Sequence, residues 1–384
     1  SLNVYSLALA AGLVPALVLA ALMLRVPRNR IANRFLAGLI LAIAIYTTPY
    51  VIGFAGFYDV YPWLNLAPFD ISLAFGPLSW FYVMTLTGAG LARGWRLHFL
   101  PVAAQFLSQA LVFPLPTAMK AQWDEAVHMP LIDPLFTVAA FVSLAVCGGL
   151  AWRRYRDYRR WTRVEEADPA GCDPTWIRNA LAALLAMGVV WLAFFLVDLA
   201  RTDFTYSDRF WLYFGFSLIA LYLAVEGWRH AWTPFPPMPE DVAATAPSGP
   251  PAGKDWSQEG ARWAAEIDRL ALWRDPDVSL SSMARALGVN TTYLSKGLND
   301  GLGMSFSAFV NGRRVEALKR LLQDPAETRD LLVLALEVGF RSKASFNRVF
   351  RESAGMTPSA FRREALEKAA AGVKPAPTGA DAAR

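Results

Sequence analysis

Seven apolar runs in the first 230 residues constrain this chain more than any other feature: Leu2–Leu24, Phe35–Phe57, Ile71–Gly88, Phe99–Leu115, Leu135–Trp152, Trp176–Leu199 and Phe210–Gly227. A hydrocarbon core of ~30 Å takes about 20 residues of α-helix to cross. Inside lipid every backbone N–H and C=O must be paired within the segment or across a closed barrel, so such runs fold as a helical bundle. They also account for a composition that is 55% hydrophobic and only 18% charged, against about 45–50% and about 25% in average soluble domains. The first run is too long for the apolar stretch of a secretory signal and its basic residues follow it, so it reads as a retained span.

Lys and Arg in short loops set orientation. The connections after the first, third and fifth runs carry Arg25, Arg28, Arg30 and Arg34, then Arg93 and Arg96, then Arg153, Arg154, Arg156, Arg159, Arg160 and Arg163, whereas the alternate ones hold Lys120, Arg201 and Arg209. This predicts an N-terminus outside and a chain emerging in the cytoplasm after seven crossings. Polar residues within the runs are where a ligand site would lie, because a central charge costs ~2.5–3.5 kcal/mol even on insertion scales. The candidates are Asp70, Gln105, Gln109 and Asp198, with interhelical hydrogen bonding as the competing role for the glutamines.

Two cysteines, Cys147 and Cys172, and three scattered histidines argue against a disulfide framework or a metal centre. The chain also lacks a phosphate-binding loop, an HExxH and a GxSxG, so neither an enzyme nor a cofactor is expected.

From Thr233 to Gly253 prolines recur at 234, 236, 237, 239, 247, 250 and 251, which breaks helix and marks a flexible tether. As polyproline II it reaches at most ~60 Å. The remainder is basic, with 20 Lys+Arg against 16 Asp+Glu from Lys254 onward, and it contains a near-repeat. Leu280, Met283, Ala284 and Leu287 form a helical stripe, Gly288 stops it, Asn290 caps the next helix, and Leu294 and Leu298 point inward. Fifty-one residues later, Leu331, Leu334, Ala335 and Val338 form the stripe, Gly339 the turn and Ser342 the cap, with Phe346, Val349 and Phe350 inward. A long helix, Ser305–Leu322, joins the copies. Two helix–turn–helix units on one rigid connector would present two reading helices to successive major grooves; a protein-binding bundle is the generic alternative.

The run ALEVGFRSKASFNRVFRESAGMTPSAFRR, Ala335 to Arg363, resembles the second helix-turn-helix of AraC/XylS-type transcription regulators. DPDVSLSSMARALGVNTTYLSKGLNDGLGMSFSAFVNGRRVEALKRLL resembles the first together with the linking helix. The resemblance spans roughly Trp256 to Glu364. It implies that Thr292, Ser295 and Lys296 of the first reading helix, and Lys343, Ala344, Asn347 and Arg348 of the second, face base edges. Lys and Arg suit guanine, Asn suits adenine, and Thr or Ala suits the thymine methyl. Arg313, Arg314, Arg341, Arg351, Arg362 and Arg363 are then phosphate clamps or surface charge, of which Arg314 and Arg351 are taken as DNA contacts. Three departures stand out: Gly297 inside the first reading helix, Gly312–Arg313 inside the linking helix, and the apolar Leu332–Val333 where polar residues are usual.

The expected protein is all-α: a seven-transmembrane sensor bundle (1–232), a Pro-rich linker (233–253), an AraC-type DNA-binding domain (254–366) and a disordered tail (367–384). Its expected partners are double-stranded promoter DNA, the lipid bilayer, an unidentified small-molecule or membrane ligand, RNA polymerase and a second copy of the chain. A transporter, or a relay for another membrane protein, carrying a DNA-binding reporter domain is the alternative.

Overall fold

The computed structural model describes residues 3–168, 174–200, 205–238 and 255–372. It divides into two compact units, Ser1–Arg159 with Pro174–Val242, and Arg160–Asp173 with Ala243–Arg384. Every regular element among the described residues is a helix, and they hold no strand. An antiparallel bridge pairs Glu166 with Ser279 inside the second unit. Most of the expected linker, 239–253, and the end of the expected tail, 373–384, lie outside the described residues.

The first unit contains α1 (Val4–Met23), α2 (Arg30–Phe54), α3 (Phe57–Val60), α4 (Phe75–Leu86), α5 (Leu100–Ala110), α6 (Thr117–Trp123), most of α7 (Asp133–Glu165), α8 (Thr175–Ala200) and α9 (Phe210–His230). Five helical stretches among the described residues are long and apolar enough to cross a membrane: Val4–Met23, Arg30–Phe54, Thr117–Glu165, Thr175–Ala200 and Phe210–His230. Two of the seven expected spans are shorter than predicted. The third is α4, with 12 residues behind a 3-10 turn at Ser72–Ala74. The fourth is α5, with 11 residues, about 16 Å at 1.5 Å per residue. Pro101 lies in its first turn, and Pro114 and Pro116 forbid continuation beyond the turn that follows it.

Helices α1, α2 and α9 pack on one another, with α4 against α2 and α8 against α9. Leu9, Leu13, Ala16, Leu36, Ile40, Ala220, Leu223 and Ala224 are buried between them. The Ser217 hydroxyl of α9 donates to the Leu9 carbonyl of α1 at 2.9 Å, and a Cβ at Gly12 would fall 2.1 Å from that hydroxyl. The small residue lets the two backbones approach closely enough for this polar contact. The outer faces are apolar: Leu135, Val138, Val142 and Val146 of α7, and Leu185, Val189 and Leu196 of α8, are all exposed.

The second unit is built from α10 (Trp256–Arg269), α11 (Leu280–Ala286), α12 (Thr291–Lys296), α13 (Phe306–Gln323), α14 (Leu331–Glu337), α15 (Lys343–Ala354) and α16 (Pro358–Gly372). Helix α16 therefore continues past 366 into the stretch expected as tail. Residues 160–168, assigned by sequence to the membrane half, cluster with this unit. It has two apolar cores. One gathers Trp263, Ile267, Leu280, Met283, Leu294, Leu298 and Val310; the other gathers Leu318, Leu334, Val338, Phe340, Phe346, Val349 and Phe350. Helix α13 contributes to both.

The two helix pairs turn alike. After α11, Gly288 at φ +65° donates its N–H to Arg285 O, and Val289 N–H reaches Ala284 O. After α14, Gly339 at φ +99° donates to Leu336 O, and Phe340 N–H to Ala335 O. This is the Schellman arrangement, which needs a left-handed residue and favours glycine. Side chains of Asn290 and Ser342 cap α12 and α15 as the sequence predicts, accepting from Thr292 N and Ser345 N.

The pairs differ at Gly297. There α12 gives way to a wider π turn, Gly297–Gly301, and a Cβ would meet the Trp263 ring at 2.5 Å. Glycine here is required by the close approach of α10 and is no mere cost in propensity. Gly312 is the reverse case, with nothing within 4 Å of a Cβ inside an unbroken α13. Gly312→Ala is therefore expected to stabilise the protein by about 0.5–1 kcal/mol, and Gly297→Ala to destabilise it by about 1–3 kcal/mol, although helix propensity alone gives both the same sign. Denaturant unfolding followed by Trp fluorescence checks the pair.

Candidate nucleic-acid interface

The second reading helix has two chemically distinct sides. Ser345, Phe346, Val349 and Phe350 are buried; the aromatic series Phe340, Phe346, Phe350 and Phe361, with ring centroids 5.7, 6.2 and 5.6 Å apart, holds α15 against α16, and Leu318 and Leu322 of α13 join the same core. The other side presents Lys343, Ala344, Arg348 and Arg351 exposed and Asn347 half-buried. The resemblance implies base contacts from Lys343, Ala344, Asn347 and Arg348 and a phosphate contact from Arg351, and the structure brings all five to one surface.

The first reading helix is shorter and more enclosed. Thr292, Ser295 and Lys296 are half-buried. Ser295 Oγ accepts from Asn299 Nδ2 at 3.2 Å, and the Lys296 ammonium lies 5.8 Å from the centre of the Trp256 ring. The first helix thus presents its polar side chains less openly than the second.

Arg314 requires a correction. Expected at the phosphate backbone, it is 1% exposed, its Nε donating to Trp273 O and its Nη2 to Asp275 O, each at 2.8 Å. Burial, reinforced by the nearby Arg341 charge, lowers its pKa to about 10, which still leaves it charged at neutral pH. It ties α13 to the loop after α10 and cannot reach a duplex from there. Arg362 is similarly engaged, donating to Arg329 O at 2.8 Å and to Glu327 O. Arg313 pairs with Asp268 at 2.9 Å. Arg351 stays exposed, and Arg363 is 78% exposed.

Arg348 and Arg341 have acidic partners that the sequence reading missed. Arg348 pairs with Asp168 and with Glu352, both at 3.0 Å. Arg341 pairs with Glu166 at 3.3 Å and with Asp277 at 3.1 Å, and donates to Pro276 O. Burial raises the Glu166 pKa and the Arg341 charge opposes that rise. A visible signal was the acidic EEAD at 165–168 directly after a run of arginines, though nothing in its spacing names a target.

In the first unit, three of the four ligand candidates meet. Gln105 accepts from Leu73 N and donates to Ser72 Oγ, both at 3.1 Å. Gln109 exchanges two bonds of 3.3 Å with the Asp70 backbone, and Asp70 Oδ1 accepts from Ser72 N. The glutamines thus satisfy backbone at the start of the segment leading into α4. Asp198 is taken up separately by Arg209 at 2.7 Å.

Residues 283–364 match the family model described as a helix-turn-helix domain. The chain is 36% identical over 95 residues to an uncharacterized HTH-type transcriptional regulator of Staphylococcus aureus strain MSSA476, the match covering 25% of this chain and 12% of that protein. It is 30% identical over 113 residues to the transcriptional regulator Rob of Salmonella typhimurium, covering 28% and 38%. No solved structure matches the chain. Residues 283–364 are accordingly similar to the helix-turn-helix regions of transcriptional regulators, and the chain spans well under half the length of each of these relatives.

Removing the Arg314 strut leaves two inward-facing carbonyls without their donor. Arg314→Ala is expected to lower stability by about 1–3 kcal/mol, whereas Arg351→Ala, at an exposed position, stays within about 0.5 kcal/mol. Thermal unfolding of the two variants separates the strut from the surface arginine.

Proposed function

We propose that the chain is a one-component transcription regulator of the bacterial cytoplasmic membrane, which senses a ligand from outside or within the bilayer and binds promoter DNA through two helix-turn-helix motifs. The observation that carries the DNA-binding reading is α15: anchored by Phe346, Val349 and Phe350, it turns Lys343, Ala344, Asn347, Arg348 and Arg351 outward within a region that matches a helix-turn-helix family. Lys, Arg and Asn on an outward helix face supply the donors that major-groove base edges accept. Thr292, Ser295 and Lys296 form the weaker second reader.

The apolar helices with exposed Leu and Val faces favour a bilayer as their solvent. The alternation of arginine-rich and arginine-poor loops favours seven crossings, with α4 and α5 as short spans completed by the 3-10 turns before them. A ligand near Asp70, Gln105, Gln109 and Asp198 would bias one helix packing over another. The tether at 233–253 would keep two DNA-binding modules at high effective concentration near the membrane. A homodimer is further favoured by Val333 and Leu336, 49% and 48% exposed on α14, and the AraC/XylS resemblance brings RNA polymerase as a promoter-bound partner.

Binding of the detergent-purified full chain to labelled promoter fragments of its host, measured against salt, tests this. About five phosphate contacts predict an affinity falling roughly 500-fold between ~50 and ~200 mM salt. Arg348→Ala is expected to relax preference at particular base pairs by about 1–3 kcal/mol. Absence of binding to every fragment at low salt would contradict the DNA-binding reading.

A further inference from the structure

We propose that the acidic segment Glu165–Asp168 is a built-in competitor for DNA, docked across both helix-turn-helix motifs so that a duplex must displace it to engage Arg348. This rests on the DNA-binding reading above.

The segment lies within the C-terminal unit and touches it at three places. Glu165 Oε1 accepts from Ser281 N in the first turn of α11 at 2.7 Å. Ala167 buries its methyl in the core of the first motif, and its carbonyl accepts from Ser307 Oγ at 2.6 Å and Asn311 Nδ2 at 2.8 Å on α13. Glu166 and Asp168 reach the second motif, pairing with Arg341 and Arg348. The side chains of Glu166 and Asp168 are only 5% and 6% exposed, so each has given up most of its water. A carboxylate tolerates that only where donors and cations replace the water, and here they do.

The chemistry is that of a phosphate substitute. Arg348 is the residue of α15 best suited to a guanine edge, yet its Nη2 already donates to Asp168 Oδ1 at 3.0 Å and its Nη1 to Glu352. A guanidinium held between two carboxylates cannot make a bidentate contact to a base at the same time. Duplex and segment therefore compete for one cation, and the segment's acidity also opposes the approach of DNA phosphates. The segment directly continues α7 in the chain, so a ligand that shifts α7 acts on the competitor through covalent connection.

The test uses the full chain in detergent with sheared host genomic DNA as probe. The arginine of each pair stays partly exposed, 25% at Arg341 and 39% at Arg348, so each pair is worth up to about fivefold in an equilibrium. Glu166→Gln with Asp168→Asn is therefore expected to raise DNA affinity roughly tenfold. The charge-matched control Glu316→Gln with Glu364→Gln, at exposed pairs with Lys319 and Lys368, is expected to change it by less than about threefold. An independent arm places cysteine at Ala167, with Cys147→Ser and Cys172→Ser. Maleimide labelling at 167 should be slow without DNA and at least about tenfold faster with it, as expected when a buried site becomes open. Equal affinity of the Glu166→Gln, Asp168→Asn variant and the unsubstituted chain, an equal gain in the control, or labelling indifferent to DNA each overturns the competitor. Failure of the unsubstituted chain and every variant to bind any duplex overturns the DNA-binding reading itself, and the competitor with it.

Discussion

A guanidinium that is 1% exposed needs partners for its donors, and Arg314 takes them from the carbonyls of Trp273 and Asp275. Its charge also lies 5.8 Å from the ring centre of Phe340, the residue just after the second turn. At that turn Gly339 leaves room for the neighbouring carbonyl, since a Cβ there would fall 2.6 Å from Arg274 O and 3.0 Å from Arg314 Nε. The connector α13, the loop after α10 and the second helix pair therefore meet at one buried charge. Such a strut is costly to desolvate and more costly to break, because removing one partner leaves the others buried and unpaired. The outward face of α15 inherits its direction from this junction.

The helix pairs were legible because their signals are local. Apolar residues at i, i+3, i+4 and i+7, a glycine at the left-handed position and a capping Asn or Ser together specify helix, turn and helix without tertiary information. The outward residues of α15 followed from the same periodicity. Arg314 was misread for the complementary reason: periodicity placed it on the connector, but only the packed loop at Trp273–Asp275 reveals why a charge is buried there. Gly297 departs from the family pattern because the Trp263 ring fills the place of a side chain there, a contact no local pattern encodes. The acidic segment escaped notice because its partners lie more than a hundred positions away in sequence.

In the first unit, hydropathy found the apolar segments, yet helix length depends on proline placement that a mean over a window averages away. Pro101, Pro114 and Pro116 shorten α5, and Gln105 and Gln109 serve the backbone at Asp70–Leu73. Side chains that satisfy an irregular backbone and side chains that receive a ligand share one chemical vocabulary, so composition alone does not separate them.

DNA binding by the second motif requires the outward face of α15 to meet the duplex. A photo-cross-linking residue placed at Ala344, exposed on α15, measures this directly when the full chain is irradiated with host promoter fragments. Covalent protein–DNA adducts from position 344, and none from a probe at Leu336 on α14, are the predicted result. Adducts from 336 with none from 344 would contradict it.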